Sequence, residues 1–439
     1  MLRRLFLPII LSIGLAVTAR GQQNRIDVVT PLAPELATYG KYDIGVRTLH
    51  VTDRNRPDVL NTKEGEALHR YDRPLTFEAW YPASLGPGQR PGGDYRAITR
   101  DPSITATLHG KAVREAPPLT SAGAFPLIVV SHGYPGNRYL LSHLCENLAS
   151  KGFVVVSIDH KDSTYDDQQR FASTLYNRPL DQLFAINEVA RLSHAPESFL
   201  HGLVDAERTG LVGYSMGGYG VMNVIGAGYS KASQALEAAP PNRMLADRGE
   251  SNPDYLKSTD PRIKAAIAIA PWGMPAGFWT AEALHHVRTP LMLVAGSNDD
   301  VAGYEKGARA IYSDVVNADR YLLTFVNAGH NAAAPIPAPA ETYAYSEGLK
   351  TFPFLHYADP VWDTVRMNNI LDHFATAYFG IYLKGDQSGA AYLQPFSPAP
   401  DERNASGQPA GTTPPDPGLK GFKPRTAVGL TLEHAAAGR

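Results

Sequence analysis

Ser215 stands in Gly213-Tyr214-Ser215-Met216-Gly217, where the apolar run from Leu211 gives way to a stretch of small residues. A strand that runs straight into a helix forces the residue between them into an unfavourable backbone conformation. Glycines two before and two after remove the side chains that would clash. The serine oxygen then projects above the sheet with a helix N-terminus behind it. A serine at its free pKa is a poor nucleophile and needs a base. His330, in "YLLTFVNAGHNAAA", follows a strand-like run and fits that base, while Asp299 and Asp300 close the earlier run "LMLVAGSNDDVAG". Serine, then acid, then histidine, each behind a later strand, is the order expected when the nucleophile sits on such a bend. One aspartate orients the imidazole. Asp299 is preferred over Asp300, and the other reads as a solvated turn residue. The tetrahedral intermediate also needs backbone N–H donors for its oxygen. Met216, at the helix start, supplies one. The other is expected from "VVSHGYPGNRY", where His132-Gly133 lets the chain turn sharply, Tyr134 presents its N–H, and the Tyr134 ring covers the acyl site.

These residues need a scaffold that delivers them to one edge. From Phe125 onward, short continuous apolar runs suit strands buried on both faces. They are "FPLIVVSHG", "FVVVSIDH", "RTGLVGYSMGG", "RIKAAIAIAPW", "PLMLVAGSND" and "RYLLTFVNAGH". Segments with helical spacing separate most of them, among them "LLSHLCENLASKG" and "PLDQLFAINEVARLSH". This alternation predicts a mostly parallel sheet with helices on both faces, with reactive residues at the carboxyl ends of strands. Residues 22–122 read as a β-rich lead-in joined to the main sheet, with strands at "GVRTLHVTD" and "LTFEAWYP". Residues 123–385 read as the catalytic domain, closed by a long helix in "WDTVRMNNILDHFATAYFGIYLKGD". Inside it, residues 332–363 form a proline-rich irregular loop, of the kind that is functional or mobile. Residues 386–439 are a Pro/Gly-rich extension in which "TAVGLTLEH" reads equally as a strand or an extended strip.

A net charge of −2 over 439 residues gives no basic field for nucleic acid. Cys145 is the one cysteine, so no intrachain disulfide and no cysteine metal cluster can form. No Walker-type loop and no metal-ligand spacing is present, so no cofactor and no metal is expected. Residues 1–21 carry Arg3 and Arg4 before an apolar Leu5–Val17 stretch and small residues, which predicts a signal peptide and an exported, periplasmic or secreted protein with no integral membrane segment after its removal. His160, Lys161 and Asp162 read as a polar strand end near the rim. Trp272, with Phe278 and Trp279 close by, is a candidate lining of an apolar substrate cleft. The oligomeric state stays open.

"VVSHGYPGNRYLLSHLCENLASKGFVVVSIDHKDSTYDD" and "GLVGYSMGG" together resemble the platelet-activating-factor acetylhydrolase and dienelactone-hydrolase-like branch of the α/β-hydrolases. The polyester-hydrolysing cutinase-like enzymes are similar over the same stretches, roughly residues 125–335. The resemblance implies an α/β-hydrolase sheet of about eight strands, a triad of Ser215, Asp299 and His330, and an oxyanion hole from the Tyr134 and Met216 N–H groups. Two features depart from it. Dienelactone hydrolases have cysteine where this chain has Ser215, and the membrane-docking surface of mammalian acetylhydrolases has no counterpart identified here. The expected activity is an exported serine carboxylic ester hydrolase acting on a small-molecule ester: short-chain, aromatic or lipid-like acetyl. The alternatives are a serine peptidase, for which the N-terminal stretch is too short to form a substrate-selecting propeller, and a non-catalytic binding protein, which has no need of all three triad positions.

Overall fold

The computed structural model describes residues 23–396 and 419–439. The expected signal segment 1–21 lies outside the described residues, as does 397–418 within the C-terminal extension. Each of the six apolar runs is a strand: β6 (Phe125–Ser131), β7 (Val154–Asp159), β8 (Val204–Tyr214), β9 (Ile263–Ile269), β10 (Leu291–Gly296) and β11 (Arg320–Phe325). They pair in parallel in the order β7-β6-β8-β9-β10-β11. The lead-in adds β1 (Asp43–Pro57), β2 (Arg70–Ala83) and the two-residue β5 (Val113–Arg114) beyond β7, with β2 antiparallel to both β7 and β1. A separate hairpin, β3 (Gly93–Ile98) with β4 (Thr105–Gly110), stands apart from the sheet.

The last segment decides the strand count. Leu430–Ala435 is β12, an antiparallel edge strand on β11. The sheet therefore has ten strands, in the order β12-β11-β10-β9-β8-β6-β7-β2-β1-β5, and not the eight expected. The two extra strands are those with the weakest sequence signal. One is two residues long, and the other follows a proline-rich stretch.

Alternation along the strands fills two cores. Ile128, Val130, Ile267 and Val294 face one side, with Phe374, Tyr378 and Phe379 of the closing helix Thr364–Lys384. Leu127, Val129, Ala268 and Leu293 face the other, with residues of α2 (Phe171–His194) and α3 (Met216–Val224). Burial on both faces is why these strands read as unbroken apolar runs. Helix α1 (Ser142–Ser150) connects β6 to β7 and buries Leu144, Cys145 and Leu148 in the first of these cores.

Helix α2 starts eight residues earlier than its spacing suggested, because Pro179 lies inside it and not at its start. Proline has no N–H, so the carbonyl of Leu175 one turn back loses its helical partner. The hydroxyl of Tyr219, on α3, donates to that carbonyl at 3.0 Å. The helix behind Ser215 is thereby tied to α2.

Under the same end of the sheet lies a buried ionic network. Asp181 accepts from Arg73 Nε at 2.9 Å, Arg56 Nη1 at 3.1 Å and His160 Nδ1 at 3.1 Å. Burial alone would raise its carboxyl, but Arg73, the His160 hydrogen bond and Arg56 outweigh that and hold it well below the usual carboxylate range. A carboxylate whose pKa falls on folding stabilises the fold above its unfolded value near ~4, and the contribution is lost only as pH falls through the lower folded value. The network thus persists in mild acid. Asp181→Asn leaves Arg56 with Asp53 and Arg73 with Asp162 as their remaining ion-pair partners, and is expected to destabilise by up to about 3 kcal/mol. Urea titration checks this: the midpoint falls at constant slope, whereas an unmoved midpoint would mean that Asp53 and Asp162 suffice for the two guanidiniums.

Candidate active site

The serine bend has the backbone its glycines suggest. Ser215 sits at φ 53°, ψ −114°, between the last residue of β8 and the first of α3. A Cβ on Gly213 would lie 2.3 Å from the Gly217 carbonyl oxygen, and one on Gly217 would lie 2.0 Å from the Ser131 carbonyl oxygen. Both glycines are required by close approach. A non-glycine residue in this region stores on the order of 1–3 kcal/mol of strain, held here by surrounding structure. Ser215 N donates to Ile269 O at 2.8 Å, and Ser215 O accepts from Trp272 N at 3.2 Å.

Four loops at the carboxyl ends of β6, β8, β10 and β11 converge on this serine. His330 Nε2 is 3.0 Å from Ser215 Oγ, and His330 Nδ1 is 3.0 Å from each oxygen of Asp299. Asp299 Oδ1 also accepts from Val301 N at 2.9 Å and Ala302 N at 2.8 Å. Burial works to raise the Asp299 carboxyl. The hydrogen bond and charge of His330, with the two amides, outweigh it and hold the group below the usual carboxylate range. Asp300 is exposed at the cavity wall, and among the described residues no hydrogen bond joins its carboxylate to the imidazole. The geometry therefore joins Asp299, and not Asp300, to His330.

Neither the Tyr134 N–H nor the Met216 N–H donates to a protein acceptor among the described residues. Tyr134 follows Gly133, whose Cβ would meet the Tyr214 ring at 3.1 Å and Ser215 Cβ at 3.3 Å. The two N–H groups are thus free beside the serine. Met216 is the first residue of α3, where backbone donors have no intrahelical partner.

A cavity of about 590 Å³ opens over Ser215 and His330, with the Tyr134 and Tyr214 side chains on its wall. Much of the rest of its lining comes from the proline-rich loop: Phe354, Leu355, His356 and Val361. Trp272, expected to line the cleft, is not among the lining residues. Its ring is held in an aromatic row, 5.5 Å from Phe171 and 5.4 Å from Phe278, and Phe171 stands 5.2 Å from the Tyr134 ring. Trp272 therefore supports Tyr134 through Phe171.

Sequence reasoning missed how the proline-rich loop holds the histidine. Tyr214 Oη donates to Asn331 Oδ1 at 2.9 Å, and Asn331 Nδ2 donates to the carbonyls of Leu355 at 2.9 Å and Ala358 at 2.8 Å. Asp359 Oδ2 accepts from Gly329 N at 2.7 Å. The residues on both sides of His330 are fastened to the loop. His356 is pushed down to about 3 by burial, then by Arg100 and His330, so a neutral imidazole shares the cavity wall with His330. Among the described residues no group of three or more His, Cys, Asp or Glu side chains could hold a metal ion. No helix among them is long and apolar enough to cross a membrane.

The comparisons with known proteins converge on ester hydrolases. A family model described as PETase: PET hydrolase-like matches residues 95–244 and 254–341, more than half of the chain. The chain is 27% identical over 235 residues to a bis(hydroxyethyl) terephthalate hydrolase of Streptomyces coelicolor, covering 53% of this chain and 59% of that one. It is 27% identical over 188 residues to Cutinase 2 of Thermobifida cellulosilytica, covering 43% and 53%. The chain thus spans little more than half the length of these curated relatives. A ferulic acid esterase from Streptomyces cinnamoneus superposes with a TM-score of 0.53 over 88% of this chain and 98% of that one, at 18% identity, a likeness of fold. The family match runs through the Gly133-Tyr134 turn, the serine bend and the strand ends that carry Asp299 and His330, and on it this chain belongs to the PET hydrolase-like family of α/β-hydrolases.

Proposed function

We propose that the protein is an exported serine carboxylic ester hydrolase whose catalytic residues are Ser215, His330 and Asp299. The observation that carries this reading is the unbroken Ser215–His330–Asp299 chain, with both links at 3.0 Å, on a strained bend that faces a cavity. Ser215 Oγ attacks the ester carbonyl while His330 Nε2 takes its proton. The carbonyl oxygen gains negative charge and accepts from the Tyr134 and Met216 N–H groups. The tetrahedral species collapses, His330 returns the proton to the departing alcohol oxygen, and an acyl-Ser215 ester remains. Water attacks that ester by the same route and releases the acid. Asp299, kept ionised, holds Nδ1 protonated throughout.

Among short-chain, aromatic and lipid-like acetyl esters, aromatic carboxylic esters are the favoured substrates. The wall offers Phe354, Leu355 and Val361 as apolar contacts, and one of the curated relatives is a bis(hydroxyethyl) terephthalate hydrolase. The N-terminal segment 1–21 is the export signal, and 123–385 is the catalytic unit. The test is a rate panel of bis(hydroxyethyl) terephthalate, p-nitrophenyl acetate, an acetylated phospholipid and a peptide p-nitroanilide, run beside fluorophosphonate labelling. Ester turnover with labelling at Ser215 is expected. Preferred cleavage of the anilide would make it a peptidase, and absence of labelling and turnover would make it a binding protein. With serine as nucleophile, a chelator is expected to leave the rate unchanged. Loss in chelator that zinc restores would sink the reading, because a metal hydrolase attacks with a bound water.

A further inference from the structure

His132 and His160, which read in the sequence as a turn residue and a polar strand end, are both fully buried beneath the oxyanion turn. The His160 backbone N–H donates to His132 Nε2 at 3.3 Å. That leaves the proton of a neutral His132 ring on Nδ1, which lies 2.6 Å from the carbonyl oxygen of Gly133. The His160 side chain does not compete for this ring. Its Nδ1 is committed to Asp181 and its Nε2 accepts from Ser131 Oγ at 2.8 Å. Burial, the Arg178 guanidinium and His160 hold His132 far below the usual imidazole range, so the ring is uncharged.

The carbonyl of Gly133 belongs to the same peptide group as the Tyr134 N–H. We propose that His132 is a positioning residue for ester hydrolysis, whose Nδ1–H fixes and polarises the Gly133–Tyr134 peptide so that the Tyr134 N–H is aimed at the developing oxyanion. This rests on the reading of Ser215 as nucleophile and the Tyr134 N–H as oxyanion donor. In a planar trans peptide the N–H points opposite to the C=O, so holding one holds the other. A hydrogen bond accepted at C=O also strengthens donation at N–H, by on the order of 10–30%.

The surroundings are built for this contact. A Cβ at Gly136 would stand 2.5 Å from His132 Nδ1 and 3.1 Å from the Gly133 oxygen, so only glycine leaves room for the ring. Arg178, fully buried, donates to the carbonyl of His132 and, at 2.7 Å, to Ser163 Oγ. Both carbonyls ahead of Tyr134 are therefore held by buried side chains, while the Tyr134 N–H is left free.

Three variants test the role. His132→Gln removes the donor at the Nδ1 position, His132→Asn keeps an N–H there, and Gly136→Ala crowds the ring without removing it. Removing an oxyanion donor outright costs roughly 10²–10³ in kcat, so loosening one is expected to cost about 10–100-fold in His132→Gln and Gly136→Ala. KM should change by no more than about two-fold, because the contact matters in the transition state. His132→Asn should recover most of kcat, and affinity for a boronic acid, which forms a tetrahedral adduct on the serine, should fall in step with kcat across the set. Thermal midpoints separate this from misfolding, and if His132→Gln does not fold, Gly136→Ala and His132→Asn decide. Wild-type kcat in the loosened variants, no recovery in His132→Asn, or boronate affinity that does not follow kcat would each overturn the proposal. Ser215→Ala in the same assay keeps the two ideas apart: activity retained there overturns the nucleophile, whereas activity lost there but kept in His132→Gln overturns only the role of His132.

Discussion

Replacing Ser215 by alanine is expected to lower kcat by a factor on the order of 10⁴ or more and to abolish fluorophosphonate labelling, with the thermal midpoint little changed. The variant keeps Cβ, so the strained backbone at φ 53° carries the same steric load and the Gly213 and Gly217 contacts are untouched. What is lost is one oxygen, hydrogen-bonded to His330 Nε2. Without it the imidazole has no hydroxyl to deprotonate. The free N–H groups of Tyr134 and Met216 can still polarise a bound carbonyl, so a small rate above that in water should survive. A variant that kept a tenth of parental turnover would show that the nucleophile is another group.

Asp299→Asn is expected to lower kcat by about 10⁴, whereas Asp300→Asn should change it by only a few fold. The difference follows from which atoms can accept. Asp299 Oδ1 takes hydrogen bonds from the Val301 and Ala302 amides, and these two fixed donors would dictate the orientation of an asparagine side chain. Its oxygen would stay with the amides, and its NH₂ would face His330 Nδ1. An N–H on Nδ1 would then face an N–H of the amide at 3.0 Å, which favours the tautomer with the ring proton on Nε2, toward Ser215 Oγ. A protonated Nε2 cannot take the serine proton. Asp300 has no such link to the ring. Stopped-flow or steady-state kinetics on the two variants decides the matter, and equal small losses would leave the acid elsewhere.

The parts of this molecule that were legible in its sequence are those whose cause is local. Strands buried on both faces must be apolar throughout, so six runs announced six strands in their correct order along the chain. The serine bend needs glycines for steric reasons, and the glycines were visible. Asp299 and Asp300 were harder, because adjacent turn residues differ only in where their side chains point. What the sequence hid is what depends on distant partners. Asp181 is held by Arg56 and Arg73 from strands more than a hundred residues away. His160 looked like rim because strand ends are often wet, yet the network of Asp181 and Arg178 encloses it. Trp272 follows a strand end near the serine, but its ring turns into the Phe171–Phe278 row. The β12 strand carries ordinary alternation and gains its place only because β11 offers an open edge.

The hold of the proline-rich loop on His330 has a consequence for heredity. Asn331 grips this loop through the main-chain oxygens of Leu355 and Ala358, and the one side chain that the loop contributes to the grip is Asp359. Every amino acid carries a carbonyl oxygen, so mutation at Leu355 rewrites the cavity wall without erasing the acceptor that steadies the histidine. The side chains of Phe354 and Val361 take no part in the fastening: Val361 lends it only its backbone N–H, which donates to Asp359 Oδ1 at 2.9 Å, and Phe354 only its carbonyl. The family match ends at residue 341, short of all three. A lineage can therefore vary this wall at Phe354, Leu355 and Val361 while Ser215, His330 and Asp299 stay in register, and saturating those three codons is a short route to variants that differ in what the cavity admits and not in the geometry beneath it.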